Sequence, residues 1–219
     1  MAAIGVRVAS DLGDAALFAV AAWTWFAAGV LAAVIALVAG ASRLPAGRVD
    51  EVAEIATRAM FSNAGQLCIS TERVLVHEGI YDRFVPAFVE KVKALRLGTA
   101  LEYGYDMGSL VNQAQLDTVT AHIEDATAKG AKVLTGGRHR PDLGPYVFEP
   151  TVLEGVTSAM TCRDEETFGP LVSIYRVADD AAAITLVNDT EYGLAAYAYT
   201  RDLARSIRLF AALPEAQRA

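Results

Sequence analysis

The chain is short of the residues that build disulfide, metal and nucleic-acid sites. It has only two cysteines in 219 residues, too few for a disulfide framework, so each thiol is judged alone. The three histidines, His77, His122 and His139, show no ligand spacing, and no other cluster predicts a metal site. The formal net charge is −7, and no run of Lys and Arg with interleaved aromatics occurs. This composition excludes the usual nucleic-acid-binding surface.

Charge is absent from one whole segment, residues 15–42. Its length exceeds the roughly 20 apolar residues that span a bilayer as a helix. Arg43 and Arg48 follow it, so the positive-inside rule would leave the rest of the chain in the cytoplasm. We therefore predict an apolar N-terminal helix within residues 1–45. It is interpreted as a transmembrane helix or as a non-native leader from a shifted reading frame, with a buried pair of helices as a third alternative.

Apolar periodicity alternates between helix and strand from residue 46 onward. Such alternation predicts an α/β fold with a mostly parallel sheet and flanking helices. We treat residues 46–219 as a unit separate from residues 1–45, with the Leu44-Pro45 break as the boundary. The predicted helices cover 49–60, 80–95, 113–129, 181–188 and 203–213, and the predicted strands cover 74–76, 132–135, 171–177 and 195–200.

Cys68 ends the run Phe61-Ser62-Asn63-Ala64-Gly65-Gln66-Leu67-Cys68, directly after a predicted helix. Backbone N–H groups on a turn favour the thiolate, and small neighbours would let a carbonyl group approach it. Cys68 is therefore a candidate nucleophile, the alternative being a buried structural cysteine. Cys162 has no evident activator and is interpreted as structural.

Three motifs carry a resemblance to a known family. The run up to Cys68 resembles the nucleophile signature of the aldehyde dehydrogenase superfamily, Phe-x-Asn-x-Gly-Gln-x-Cys. About 100 residues downstream, the segment 165–170 resembles its Glu-Glu-x-Phe-Gly-Pro box, and the segment 188–194 its Asn-x-x-x-Tyr-Gly-Leu turn. The resemblance covers roughly residues 48–213, the central part of the catalytic domain. Framework segments such as Leu95-Arg96-Leu97-Gly98 are similar to those of succinate-semialdehyde dehydrogenases of actinobacterial type.

This resemblance implies NAD(P)-dependent oxidation of an aldehyde, such as succinate semialdehyde, to a carboxylic acid. It implies that Cys68 forms a thiohemiacetal and then a thioester. It also implies that Glu166 binds a ribose hydroxyl of NAD or NADP and that Phe168 packs near the nicotinamide. Ser62 stands where many succinate-semialdehyde enzymes carry an arginine for the substrate carboxylate. Ser62 is a weaker candidate substrate residue because it offers one hydrogen bond and no charge.

Two elements that the family places upstream of the nucleophile are absent from this sequence. They are the Glu-Leu-Gly-Gly motif, which supplies the general base, and a Gly-rich turn for the dinucleotide. The resemblance implies a homo-oligomer, and we expect the segment that builds it to be missing as well. We therefore expect a truncated catalytic domain in the cytoplasm, membrane-anchored if residues 15–42 span a bilayer. The alternative hypothesis is a catalytically inactive fragment or pseudoenzyme that acts as a binding or membrane-tethered module.

Overall fold

A six-stranded sheet organises the part of the chain that the structure, a computed structural model, describes: residues 5–8, 18–21, 34–38, 46–200 and 202–213. The strands within these ranges are β1 Gly5–Val8, β2 Phe18–Ala21, β3 Val34–Val38, β4 Thr71–His77, β5 Lys132–Thr135, β6 Thr151–Glu154, β7 Leu171–Val177 and β8 Ala196–Tyr199. The helices are α1 Ala46–Phe61, α2 Glu78–Lys93, α3 Gln113–Ala128, α4 Thr161–Asp164, α5 Asp180–Asn188 and α6 Leu203–Ala212.

The strand order in the sheet is β5-β6-β7-β4-β3-β8. Every neighbouring pair is parallel except β5 with β6, which is antiparallel. A separate antiparallel pair joins β1 to β2. The predicted fold class, an α/β fold with a mostly parallel sheet and flanking helices, is confirmed.

Strand β4 shows why the sheet is covered on both faces. Its residues Val74, Leu75 and Val76 are all fully buried, as expected for a strand of a parallel sheet with helices on each side. Val74 and Val76 pack with the core of α1 and α2, where the rings of Phe84 and Phe88 stack 5.6 Å apart. Leu75 points to the other face and packs with residues of α5 and α6.

The prediction of an apolar N-terminal helix is wrong where the structure describes that segment. Residues 18–21 and 34–38 are strands, and the rest of residues 15–42 lies outside the described residues. The run Val-Ile-Ala-Leu-Val at 34–38 is apolar and partly β-branched, a pattern that fits a buried strand as well as a helix. Pairing decides between them, because β3 has β4 on one side and β8 on the other. Among the described residues, no helix has the length and apolarity needed to cross a bilayer.

Candidate active site

Cys68 lies on an exposed turn that follows a strained end of helix α1. A single 3-10 turn at Ser62–Gly65 extends the helix, and Asn63, Ala64 and Gly65 have φ values of 53°, 55° and 72°. Left-handed backbone at two residues other than glycine is unfavourable and is often found at functional sites. A second turn follows, closed by a 2.8 Å hydrogen bond from Ser70 N–H to the Leu67 carbonyl.

This geometry leaves the reactive groups of Cys68 accessible. The side chain is exposed. Among the described residues, none accepts a hydrogen bond from the Cys68 N–H. The thiol can therefore be reached from solvent, and the N–H is a candidate donor to an oxyanion.

Gln66 ties the Cys68 turn to a distant loop. Its Nε2 donates to the carbonyls of Asn63 and Ser109, at 3.1 and 3.2 Å. Its Oε1 accepts the N–H of Val111 at 2.9 Å. One amide side chain thus fixes the turn and the segment that leads into α3.

Tyr197 supports the turn from strand β8. Its hydroxyl donates to the Ile69 carbonyl at 3.2 Å, one residue beyond Cys68. Burial raises the pKa of Tyr197, and the nearby Cys68 adds a smaller increase in the same direction. The hydroxyl therefore remains a donor at neutral pH.

The 165–170 box lies directly against the Cys68 segment. A Cβ atom added to Gly65 would lie 2.1 Å from the carbonyl oxygen of Gly169. No side chain larger than hydrogen fits between the two backbones. The structure therefore brings together two motifs that lie about 100 residues apart in the sequence.

Phe168 has a left-handed backbone, with φ 47°, and a carboxylate holds its amide. Glu72, on β4, accepts the N–H of Phe168 at 2.8 Å and that of Thr167 at 3.0 Å. Burial raises the pKa of Glu72 to about 7, the two N–H donors lower it, and the charge of Glu166 raises it further.

Glu166 lines a cleft at the end of the sheet, together with Glu72, Arg73, Cys162, Arg163, Asp164, Glu165, Thr190 and Tyr192. The third motif forms one wall of this cleft. The hydroxyl of Tyr192 receives a hydrogen bond from the Glu166 backbone, which lowers its pKa, although burial raises that pKa more. Arg163 pairs with the Asp189 carboxylate, and Arg73 donates to the Leu186 carbonyl at 2.7 Å. The segment 188–194 therefore forms the turn between α5 and β8 and also supports the backbone of Glu166.

The hydroxyl of Ser62 is already engaged. Ser62 is exposed, and its Oγ donates at 2.6 Å to the carbonyl of Arg58, one turn back in α1. Its single proton would have to leave that carbonyl before it could bind a substrate. Its position contributes two oxygen lone pairs and no positive charge.

Cys162 is buried in the main core, next to Ser173. Burial raises the pKa of its thiol to about 11. Such a thiol is almost entirely protonated at neutral pH and is a poor nucleophile. The two thiols therefore differ in exposure, Cys68 being exposed and Cys162 buried.

The side chains that bind the 165–170 box stand outside the three motifs. Gln115 donates to the Thr167 carbonyl at 2.7 Å, and His122 Nδ1 lies 3.0 Å from the Thr167 hydroxyl. Glu72 could have been noticed, because a carboxylate just before the apolar run 74–76 needs a specific partner. Among the described residues, no group of three His, Cys, Asp or Glu side chains is placed to hold a metal ion.

Comparison with known proteins decides the family. Residues 44–217 match the model of the aldehyde dehydrogenase family. The chain belongs to this family. A relative in Mycobacterium ulcerans, named "Putative succinate-semialdehyde dehydrogenase [NADP(+)] 2", is 59% identical over 146 residues, which cover 67% of this chain and 28% of the relative. The succinate semialdehyde dehydrogenase of Acinetobacter baylyi is 41% identical over 161 residues, 74% of this chain and 33% of the relative.

Solved structures of aldehyde dehydrogenases share the fold of this chain. The crystal structure of succinate-semialdehyde dehydrogenase from Burkholderia pseudomallei superposes with a TM-score of 0.76 at 41% sequence identity. The match covers 84% of this chain and 37% of that structure. This family member therefore spans about a third of the length of the relatives that it matches.

Proposed function

We propose that this chain carries the nucleophile and part of the cofactor site of an NAD(P)-dependent aldehyde dehydrogenase. The observation that carries the proposal is the packing of Gly65 on Gly169, which holds the Cys68 turn against the Glu166–Phe168 box. The relatives named above are dehydrogenases, and none of them favours the alternative of an inactive binding module.

In the proposed reaction, the Cys68 thiolate attacks the aldehyde carbon, and a bond forms between Sγ and that carbon. The aldehyde oxygen becomes an oxyanion, and the Cys68 N–H is the proposed donor to it. A bound nicotinamide would supply the hydride acceptor. Cys68 then holds the acyl group as a thioester until water releases the acid. Overall, one aldehyde, one water and one oxidised cofactor give one carboxylate, one reduced cofactor and two protons.

The residues assigned to the cofactor fit its chemistry. Glu166 is half-buried and lines the cleft, and a carboxylate can accept hydrogen bonds from ribose hydroxyls. Phe168 is partly exposed, and an aromatic face suits a flat ring. We propose NAD or NADP as the cofactor because one relative is named as NADP(+)-dependent. Residues 46–219 would form part of the catalytic domain, in the cytoplasm.

Succinate semialdehyde is the proposed substrate, supported by the names of the relatives. Ser62 gives this substrate only weak support, because its hydroxyl donates to the Arg58 carbonyl and it has no charge for the distal carboxylate. If the chain recognises that carboxylate, another group must do so. A comparison of charged and uncharged aldehydes of equal length therefore tests the substrate assignment.

The experiment follows the alkylation of Cys68 by iodoacetamide in the presence of an aldehyde. A thiohemiacetal on Cys68 removes the free thiolate, so succinate semialdehyde should slow the labelling of Cys68, as measured by peptide mapping. Succinate, which has no aldehyde carbon, is the control, and butanal tests whether the distal carboxylate matters. Protection by neither aldehyde would contradict Cys68 as the site of attack. Equal protection by both would contradict recognition of the carboxylate.

A further inference from the structure

The backbone of Phe168 is in a conformation that this residue does not adopt on its own. Its φ of 47° lies in the left-handed region, which costs a residue with a Cβ atom roughly 1–2 kcal/mol. A glycine would adopt this conformation without that cost, but the glycine of the box is the next residue, Gly169. The rest of the fold must therefore hold Phe168 in place.

Glu72 provides the contact that reaches Phe168 itself. Its Oε1 accepts the Phe168 N–H at 2.8 Å and also lies 3.2 Å from the Thr167 nitrogen, while its Oε2 lies 3.0 Å from that nitrogen. Once this carboxyl group is ionised, its hydrogen bonds are about twice as strong as neutral ones. Among the described residues, no other side chain accepts a hydrogen bond from the Phe168 amide.

The other contacts of the box hold the residues on either side of Phe168. Gln115 and His122, both from α3, bind the carbonyl and the hydroxyl of Thr167. They fix Thr167, and the packing of Gly169 on Gly65 fixes the residue that follows Phe168, but none of these contacts reaches the Phe168 amide. Glu72 closes that gap from β4, where its neighbours Thr71 and Arg73 are buried and the strand pairs with β3 and β7.

We propose that Glu72 is a positioning residue that holds Phe168 in its left-handed conformation and so directs the phenylalanine ring. The significance of the ring direction rests on the proposed function, in which Phe168 packs near the nicotinamide. Glu72 lies four residues after Cys68 on the same segment. One short stretch of chain thus carries the proposed nucleophile and the group that orients a proposed cofactor residue.

Amide hydrogen exchange tests the backbone contact directly in the full chain. Glu72→Met removes both acceptor oxygens while keeping a side chain of similar length, so no large cavity forms. We expect the amides of Thr167 and Phe168 to exchange roughly tenfold faster in this variant. Glu72→Gln keeps one acceptor oxygen and should restore most of the protection. Glu124→Ala, an exposed position on α3, is the control and should leave both amides unchanged.

A double-variant cycle tests whether Glu72 imposes the left-handed conformation of Phe168 or only packs against the box. If Glu72 imposes the strain, Phe168 relaxes when Glu72 is replaced, and this relief offsets part of the loss of stability. Phe168→Gly has no such strain to release. Glu72→Met should therefore raise the unfolding equilibrium constant about fivefold more in the Phe168→Gly background than in the wild-type background.

Either of two results would overturn the proposal: unchanged exchange of the Phe168 amide in Glu72→Met, or equal costs of Glu72→Met in both backgrounds. Neither measurement uses an aldehyde or a cofactor. Failure of the proposed dehydrogenase function would appear in the protection of Cys68 by aldehydes and would leave these two results untouched.

Discussion

Gly65 and Gly169 touch backbone to backbone, with only 2.1 Å between the carbonyl oxygen of Gly169 and the place where a Cβ of residue 65 would lie. Gly65 belongs to the segment that leads to Cys68, and Gly169 follows Phe168. The distance between the proposed nucleophile and the proposed cofactor residues is therefore set by main-chain packing, which varies less than contact between flexible side chains.

Gly65→Ala should be strongly destabilising, and Gly155→Ala provides a matched control. Both glycines have positive φ, 72° and 78°, but nothing lies within 4 Å of a Cβ at residue 155. The control should lose about 1 kcal/mol from left-handed strain alone. Gly65→Ala should lose about 2 kcal/mol more because the two backbones must separate. Urea unfolding measures both variants, and equal losses would show that the two motifs are not in tight contact.

The two thiols should differ widely in reactivity. Cys68 is exposed, whereas burial raises the pKa of Cys162 to about 11. At pH 7.5, iodoacetamide should label Cys68 at least ~100-fold faster than Cys162. The raised pKa of Cys162 alone lowers its thiolate fraction by about that factor relative to an ordinary cysteine. Peptide mapping after brief exposure gives both rates. In urea the rates should converge, and similar rates in the folded protein would remove the case for Cys68 as the nucleophile.

Much of the fold from residue 46 onward could be predicted from periodicity. The apolar spacing of 80–95 predicted α2, and the short apolar run 74–76 predicted the centre of β4. The predicted ends differ from the observed ends by a few residues. Residues 34–38 could not be assigned in this way. A short apolar run fits a strand or part of a helix equally well, and only the pairing of β3 with β4 and β8 separates the two.

The motif residues of the candidate site stand out in the sequence, but the contacts between them do not. Cys68, Glu166 and Phe168 stand in recognisable runs. Glu72 stands in no motif, because its role depends on a loop about 95 residues away in the sequence. The hydrogen bond from the Ser62 hydroxyl to the Arg58 carbonyl could not be predicted either. Any serine near the end of a helix can donate to the carbonyl one turn back or to another acceptor, and the sequence does not decide between them.

Glu72 should make the stability of the protein depend on pH. Its pKa is about 7 in the folded protein, against 4.5 ordinarily, so between these values the folded state holds a proton that the unfolded chain has released. Stability contributed by this proton is present below about pH 4.5 and is lost as the pH rises through 7. Relative to Glu72→Gln, the wild type should lose ~2 kcal/mol between pH 4.5 and 8, a value reduced for its partial exposure.

Thermal or urea unfolding of both proteins across this pH range gives the difference. The comparison cancels the titration of groups that do not interact with Glu72, and Glu166, whose charge raises the pKa of Glu72, is present in both proteins. Parallel stability curves would show that Glu72 ionises normally in the folded state.

Gln66→Met should loosen the loop that precedes α3. The change keeps the length of the side chain but removes the donor to Ser109 and the acceptor for the Val111 N–H. We expect a loss of about 1–2 kcal/mol and faster exchange of the Val111 amide. Gln113→Met is the control, because Gln113 is exposed and its amide donates to the nearby Asp117 side chain, one helical turn away. If the two variants behave alike, Gln66 does not fix the loop.

Two N-terminal deletions should have different effects because β3 lies inside the sheet. Removal of residues 1–33 leaves β3 between β4 and β8, whereas removal of residues 1–45 exposes the unpaired edges of both strands. The shorter deletion should keep the amides of residues 73–76, which alternate between β3 and β7, protected from exchange. The longer one should accelerate their exchange and promote aggregation through the open edges. Equal protection in both variants would show that residues 34–38 contribute no strand to the sheet, and the prediction of a separate leader would then apply to them.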